Sequence, residues 1–185
     1  MLMAALLSVT LAGDVPGVRM EDSYLDTTAR FSTYGYQVPP TTLGASADSF
    51  LRAWVNKTTG QAAYQLYASV YYYGDWAFLT TANYVDADGP HQKELNIIGR
   101  KVGSCSRYTR SCALYEDVGL DLTEDQLKFA ASREGAFRFR LNAKNGQSTE
   151  GVINAREASL LLKEVEAYRY QIELRKTPMV VSPVK

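Results

Sequence analysis

Residues 62–73 read AAYQLYASVYYY, and this stretch decides the fold because its side chains alternate in character. Such alternation is typical of a β-strand, in which successive side chains point to opposite faces. The apolar face consists of Tyr64, Leu66, Ala68, Val70 and Tyr72. The amphipathic face consists of Gln65, Tyr67, Ser69, Tyr71 and Tyr73. We therefore expect a long strand with one face in the core and an aromatic face opposite it.

Strand patterns continue outward from this stretch in both directions. Turns rich in Gly, Asp, Asn and Pro separate the further candidates. These candidates are residues 50–57, 76–85, 95–102, 114–122, 137–142 and 149–153. Short turns of this kind favour antiparallel pairing of neighbouring strands. The sequence thus predicts one mostly antiparallel sheet of about seven strands.

Two helices complete a predicted α+β fold. Thr123 and Gln126 form a capping box that starts the first helix, and Asn154 and Glu157 form another that starts the second. Within the second helix, apolar residues recur at helical spacing between positions 158 and 172. We expect this C-terminal helix to pack its apolar stripe on the sheet, since the stripe needs an apolar surface to cover it.

Composition divides the chain into four segments with different roles. These are a signal-peptide-like leader at 1–13, a loop-rich segment at 14–49, a single α+β domain at 50–175 and a flexible tail at 176–185. The loop-rich segment contains three prolines and has no sustained period of either strand or helix. The tail contains two prolines, which disfavour regular structure.

The leader indicates where the protein is located. The uncharged run from 2 to 12 is too short for a membrane span, which needs about 20 apolar residues, but it fits a secretory core of about 7 to 15. It predicts export, with no transmembrane helix. A bacterial lipoprotein would need a Cys where Asp14 stands, so no lipid is expected there. The alternative is a buried N-terminal helix in a cytoplasmic protein.

Charge and motif content limit the partners. The 185 residues include 20 Lys plus Arg and 20 Asp plus Glu, so the formal net charge is zero. A general nucleic-acid binder needs a surplus of basic residues, so we expect no nucleic-acid partner. No phosphate loop, dinucleotide fingerprint or zinc-hydrolase motif is present, and we expect neither a cofactor nor a metal. The one histidine, His91, follows a Gly-Pro turn, where it is expected to be solvated.

The two cysteines are expected to form a disulfide. Cys105 and Cys112 flank a polar loop of six residues between two predicted strands, where a bond across the hairpin is geometrically easy. Disulfides persist in oxidising compartments, in agreement with the leader. A redox pair, which usually has two intervening residues, and a metal site, which needs further ligands, are the alternatives.

Two groups of side chains are candidates for binding. Aromatic rings at Tyr67, Tyr71, Tyr73 and Trp76 form a predicted platform for sugars, bases or a partner protein. A second layer such as the C-terminal helix would instead cover it. A basic cluster near the cysteine loop would attract an anionic partner. This cluster consists of Arg100, Lys101, Arg107 and Arg110. The alternative is that these charges are only solvated.

Carboxylates offer a second kind of chemistry. Glu116 is the polar exception on an otherwise apolar strand face, and Asp75 is a candidate partner. Two carboxylates facing each other about 5–9 Å apart can hydrolyse glycosides. An ion pair between Glu116 and Arg100 on the preceding strand is the favoured interpretation. The Asp86–Asp88 stretch is similar to the start of a calcium loop, but its remaining ligands are missing and a plain turn is predicted.

The chain resembles small exported bacterial proteins of unknown function, many of which are lipoproteins. The resemblance is carried by Trp76, residues 100–105, Cys112, Glu116 and Val118, in that order. A helix and a Phe-rich hairpin follow Val118, and the resemblance covers roughly residues 62–165 in all. The resemblance implies a compartment and no catalytic residues.

These observations predict an exported envelope protein of a bacterium, periplasmic or at the cell surface. We expect a non-enzymatic binding or structural module, which would bind an envelope protein or glycan through the sheet face or the basic hairpin. The alternative function is a hydrolase that cleaves envelope polysaccharide with carboxylates such as Glu116. A cytoplasmic protein with free thiols is the third interpretation.

Overall fold

The computed structural model describes residues 17–33, 46–108, 111–132 and 136–176. The strands are β1 (Arg19–Glu21), β2 (Thr28–Ser32), β3 (Ser46–Asn56), β4 (Ala62–Tyr73), β5 (Leu79–Asp86), β6 (Gly89–Glu94), β7 (Asn96–Cys105), β8 (Cys112–Leu122), β9 (Ala136–Ala143) and β10 (Ser148–Asn154). The helices are α1 (Glu124–Ser132) and α2 (Ala155–Lys176). The predicted leader at 1–13, Asp14 and most of the predicted tail lie outside the described residues.

The described strands form two antiparallel sheets. The first has six strands in the order β1-β2-β3-β4-β8-β7, and the second has four in the order β10-β9-β5-β6. The α+β class and the packing of the C-terminal helix on the sheets are confirmed. The prediction of one sheet with about seven strands is wrong, since the described residues alone form ten strands in two sheets.

The additional strands are β1, β2 and β6, and only β2 contributes buried side chains, Ala29 and Phe31. All three residues of β1 are exposed, and β6 is the polar stretch GPHQKE, so neither has an apolar alternation to detect. β2 is short and lies in the segment expected to be loop-rich. The second sheet arises because β5 begins only at Leu79, after a turn that carries it away from β4, and then pairs with β6 and β9.

One apolar core lies between the two sheets and the helices. In β4 the even positions face this core and Leu66, Ala68 and Val70 are buried, as the alternation predicts. α2 contributes Leu161 and Val165, and it packs on β3, β2 and β10. Neither helix in the described ranges combines the length and apolar composition that crossing a membrane requires.

Both predicted helix starts are present. The Thr123 backbone N–H donates to Gln126 Oε1 at 3.0 Å, and the Gln126 N–H donates to Thr123 Oγ1 at 3.1 Å, which completes a reciprocal capping box. At α2 the Arg156 N–H donates to Asn154 Oδ1 at 2.8 Å. Both caps satisfy N–H groups that a helix leaves without internal partners.

Candidate functional site

The six-stranded sheet has one face in the core and one face turned away from it, which we call the outer face. Along β4 and β8 and in β3 from Leu51 onward, every second side chain is buried. Most side chains between them are half-buried or exposed, and Gln65 and Ala113 are the buried exceptions. Both helices and the four-stranded sheet contribute to the core on the opposite side. The central part of the outer face consists of Phe50, Arg52, Trp54, Gln65, Tyr67, Ser69, Tyr71, Tyr73, Lys101, Tyr115, Asp117 and Asp121.

Aromatic rings pair across the strands of the outer face. Phe50 on β3 lies directly opposite Tyr67 on β4, and their ring centroids are 4.7 Å apart. Tyr71 on β4 lies opposite Tyr115 on β8 at 5.0 Å, and it also contacts Tyr73 at 5.3 Å. Cross-strand aromatic pairs of this kind stabilise a sheet and also present broad ring surfaces.

Basic side chains lie over the rings. The Arg52 guanidinium carbon is 4.9 Å from the Trp54 ring and 4.9 Å from the Tyr67 ring, so Arg52 lies between them. Lys101 Nζ lies 5.1 Å from the Tyr115 ring. Cation–π contacts at these distances hold the charged groups in place on the surface.

Arg52 is also held by a polar chain that runs across the sheet. Its Nε donates to Gln65 Oε1 at 2.9 Å and its Nη2 donates to the same oxygen. Gln65 Nε2 in turn donates to Asp121 Oδ1 at 2.6 Å. Gly119 makes room for this chain, because a Cβ there would lie 2.4 Å from Gln65 Cδ. Burial lowers the pKa of Arg52, although a guanidinium stays charged at neutral pH.

A second polar group lies near the centre of the outer face. Ser69 Oγ donates to Asp117 Oδ1 at 2.6 Å, and Lys101 Nζ lies 4.0 Å from Asp117 Oδ2. Burial, with the charge of Asp117, raises the pKa of Tyr67.

The structure separates the predicted binding residues into groups. Tyr67, Tyr71, Tyr73 and Lys101 lie together on the outer face. Arg100 lies on the inner side of the same sheet, opposite Glu116, and Trp76 lies in the turn between β4 and β5. Arg107 is exposed in the loop after β7, and Arg110 lies outside the described residues.

Glu116 lies on the inner side, fully buried, and four groups donate to it. Its Oε1 accepts from the Tyr72 hydroxyl at 2.6 Å and from the Phe78 N–H at 2.9 Å. Its Oε2 accepts from Arg100 Nε at 2.8 Å and from the Leu79 N–H at 3.2 Å. The ion pair favoured from the sequence is confirmed. Burial and the hydrogen bond to Glu116 raise the pKa of Tyr72 to about 12.

Glu116 fixes the turn that joins the two sheets. In this turn Phe78 has φ of 57°, a left-handed conformation that is unfavourable for an aromatic residue and that must be held by its surroundings. Arg100 lies over the Phe78 ring at 5.0 Å, and Trp76 lies beside it with centroids 6.4 Å apart. A shallow groove of about 390 Å³ adjoins Trp76 and exposed Asp75.

The Cys105–Cys112 disulfide is present. The two residues are directly paired at the end of β7 and β8, so the bond closes the hairpin beside both the Trp76 groove and the outer face. The loop that it closes is short, and the bond therefore constrains the unfolded chain only modestly, by about 2–3 kcal/mol.

His91 is partly solvated, as expected from the sequence, since about a third of its side chain is exposed, and it also has partners within the fold. Its Nε2 lies 2.6 Å from Asp86 Oδ1, and its ring stacks on Tyr84 at 5.4 Å. Asp86 Oδ2 accepts from Gln126 Nε2 at 2.8 Å, which ties the β5–β6 hairpin to the start of α1. Burial raises the pKa of Asp86, but hydrogen bonds from Gln126, the Asp88 N–H and His91 hold it below its usual range. The predicted turn at 86–88 is confirmed by the Asp88 N–H bond to Asp86 Oδ1.

The sequence did not single out several residues of the outer face. Phe50, Arg52, Trp54 and Tyr115 complete the aromatic and basic surface, but each becomes a neighbour of Tyr67 or Tyr71 only through strand register. The signal was present in β3, where Phe50, Arg52 and Trp54 alternate with apolar residues. Comparisons with protein-family models, curated proteins and solved structures found no match to this chain.

Proposed function

We propose that the protein is an exported envelope protein that binds a partner protein or glycan through the outer face, without catalysing a reaction. The observation that carries this proposal is the ordered row of aromatic rings and cations on that face. Interfaces are enriched in Tyr, Trp and Arg, because these side chains combine large contact areas with hydrogen-bonding groups. The rings and guanidinium here are already held by neighbours, so binding requires little further ordering.

The disulfide supports the export part of the proposal. Disulfides are rare in reducing compartments and frequent in the periplasm and at cell surfaces. The Cys105–Cys112 bond is formed at a strand end, away from any redox motif. The fold therefore suits an oxidising compartment.

The contacts of Glu116 favour a structural role over hydrolysis. Its two oxygens already accept four hydrogen bonds, and its side chain is fully buried. A catalytic acid or base must approach the proton that it transfers. Glu116 instead positions the turn between the sheets, and no contact among the described residues favours a hydrolase.

A paired set of surface variants tests the binding function. Tyr71→Ser combined with Tyr115→Ser removes one ring pair from the outer face, whereas Tyr170→Ser removes an exposed ring from α2. Each protein is mixed with purified peptidoglycan sacculi. In a second assay, each protein is mixed with a membrane-free envelope extract and its complexes are then cross-linked. We expect wild type and Tyr170→Ser to bind the same component and the double variant to lose it. Equal binding by all three proteins would exclude the outer face.

Export is tested by mass spectrometry of the protein expressed from its own gene. We expect the chain to lack the leader. We also expect the mass of this shortened chain to increase by two hydrogens on reduction. A full-length chain whose mass does not change on reduction would contradict the envelope location. It would direct the search to cytoplasmic partners.

A further inference from the structure

A groove of about 230 Å³ lies at the β1–β2–β3 end of the outer face. Three arginines from three different strands line it, and we call it the arginine groove. The side chains that define it are Arg19, Arg30, Ser32, Arg52 and Trp54. None of these residues belongs to the basic cluster or the aromatic platform predicted from the sequence.

Strand register builds the groove. Arg19 pairs with Ser32, and Ser32 pairs with Arg52, so these three lie in one row across β1, β2 and β3. Arg30 pairs with Trp54 in the adjacent row. Adjacent strands are about 4.8 Å apart, so Arg19 and Arg52 flank Ser32 on the neighbouring strands and Arg30 lies two residues from it along β2. The guanidinium of Arg52 itself is turned toward Gln65 and Tyr67 on β4.

The groove carries an excess of positive charge. Among the described residues that line it, the one carboxylate is Glu21, which lies opposite Arg30 in register and pairs with Arg19 at 3.1 Å. Among the described residues, no carboxylate lies within salt-bridge distance of Arg30 or Arg52. In the described lining of the groove, three guanidinium groups and one carboxylate leave two positive charges, in a protein whose overall formal charge is zero. Asp121, which interacts electrostatically with Arg52 and is linked to it through Gln65, lies beyond this lining. This local excess is complementary to an anion.

Arg52 is ordered before any ligand arrives. It lies between the Trp54 and Tyr67 rings and donates two hydrogen bonds to Gln65. A planar guanidinium fixed in this way presents its remaining N–H groups in a set direction, which suits the two oxygens of a carboxylate. Pre-organisation of this kind lowers the entropic cost of binding.

We propose that the arginine groove binds a carboxylate-bearing saccharide, and this inference rests on the proposed binding function of the outer face. The uronate carboxylate would be bound by Arg30 and Arg52, and the apolar face of its ring would lie on Trp54. The next sugars would continue over Tyr67 and Phe50, where rings alternate with Gln65 and Ser69 as hydrogen-bonding partners. An array of rings, amides and hydroxyls beside an anion site matches a chain of hydroxylated rings better than a linear anion.

The experiment compares two probes with the same sugar backbone. A galacturonic acid tetramer carries carboxylates, and its fully methyl-esterified form replaces each of them by a neutral methyl ester. Titration calorimetry at low and moderate salt measures the affinity of each. We expect the acid tetramer to bind and the ester to bind at least about tenfold more weakly, since hydrogen bonds to charged partners are the stronger ones. The affinity for the acid should fall with salt.

Matched variants locate the site. Arg30→Gln removes a charge from the groove, and Arg138→Gln removes an exposed charge from β9 in the other sheet. We expect about tenfold weaker binding of the acid tetramer for Arg30→Gln and no change for Arg138→Gln, with equal thermal melting for both. Loss of binding in both variants would show non-specific charge attraction and would overturn the inference.

Other outcomes separate this inference from the proposed function. Equal binding of acid and ester, reduced by the Tyr71→Ser and Tyr115→Ser pair but not by Arg30→Gln, would overturn the arginine groove and leave the outer face as the binding site. Tighter binding of a thymidine oligonucleotide than of the acid tetramer would also overturn it. If neither tetramer binds, the acidic-saccharide inference is wrong, and the sacculus and cross-linking experiments alone decide the proposed function.

Discussion

Glu116 is the residue that links the two sheets electrostatically. It lies on β8 of the six-stranded sheet, and its carboxylate accepts N–H groups from Phe78 and Leu79 at the entry to β5 of the second sheet. Arg100 and Tyr72 complete its hydrogen bonds, so the buried charge is compensated. A buried carboxylate without such donors would be strongly unfavourable. The left-handed Phe78 is the conformational cost that these bonds offset.

Glu116→Gln should therefore reduce stability by about 2 kcal/mol. The amide keeps the shape of the side chain but has no charge. Its NH2 group replaces an oxygen that accepts hydrogen bonds, so it would face N–H or O–H groups that are themselves donors. Arg100 is one-third exposed, so water compensates part of its lost pairing. Urea unfolding measures the effect, with Asp75→Asn at an exposed position as the control. A midpoint unchanged from wild type would contradict the anchoring role.

Single-residue predictions from the sequence succeeded where the partner lies on an adjacent strand. The Glu116–Arg100 pair was predicted because a hairpin between β7 and β8 brings the two residues opposite each other. Arg52 and Trp54 were missed because their roles depend on rings of β4 and on β2, which the sequence did not reveal. The hydrogen bond of His91 was missed because its partner Asp86 is held in place by α1, a contact between distant elements.

At the scale of elements, Glu157 attaches the start of α2 to the six-stranded sheet. Its Oε1 accepts from Thr33 Oγ1 at 2.5 Å and from the Leu51 N–H at 3.2 Å. Its Oε2 has no hydrogen-bond partner among the described residues, although the side chain is fully buried. Burial raises the pKa of Glu157 to about 7, against smaller lowering contributions from Thr33 and the Leu51 and Asn154 backbones.

Because of the Glu157 carboxyl group, we expect the free energy of unfolding to fall as the pH rises. Because the pKa is 4.5 in the unfolded chain and about 7 in the folded protein, the folded state holds the extra proton between these values. The free energy of unfolding should decrease by up to about 3 kcal/mol across this window and then level off. Glu157→Gln, which mimics the protonated acid, should remove this decrease. Parallel pH profiles for the two proteins in urea unfolding would contradict the assignment.

The pairing of β9 and β10 depends on a glycine. Gly151 lies opposite Phe139, whose buried ring covers it, and a Cβ at 151 would lie 2.2 Å from Phe139 Cζ. Gly151→Ala should cost about 1–3 kcal/mol, because the ring must move into a packed core. Gly99→Ala is the control, since a Cβ there would make only an ordinary contact of 3.7 Å with Asp117. Equal thermal unfolding of the two variants would show that the ring moves freely.

The elements that the sequence predicts well are those with a strong periodic signal. The β4 alternation and both helix starts are confirmed, because capping and burial follow local rules. β1 and β6 are edge strands with little burial, so their pairing comes from neighbours instead of from their own composition. The division into two sheets is equally invisible, since it depends on the turn that Glu116 holds.

The whole molecule is built on a single core shared by both sheets. Leu66 and Leu120 of the six-stranded sheet, Phe137 and Leu141 of the four-stranded sheet and Leu161 of α2 belong to one buried cluster. The outer face is therefore supported by a rigid layer beneath it. A binding surface on such a support keeps its side chains in position better than one on a loop.

A shared core predicts that the two sheets unfold together. Leu161 on α2 is fully buried, and Leu161→Ala should cost about 2–5 kcal/mol. Leu174→Ala, at a half-exposed position of the same helix, should change stability by less than about 0.5 kcal/mol. Tryptophan fluorescence, from Trp54 on the six-stranded sheet and Trp76 in the linking turn, and far-ultraviolet circular dichroism should give coincident transitions that Leu161→Ala shifts equally. Two separated transitions, or a shift in only one signal, would mean that α2 stabilises one sheet alone. The stability of the outer face would then be independent of the second sheet.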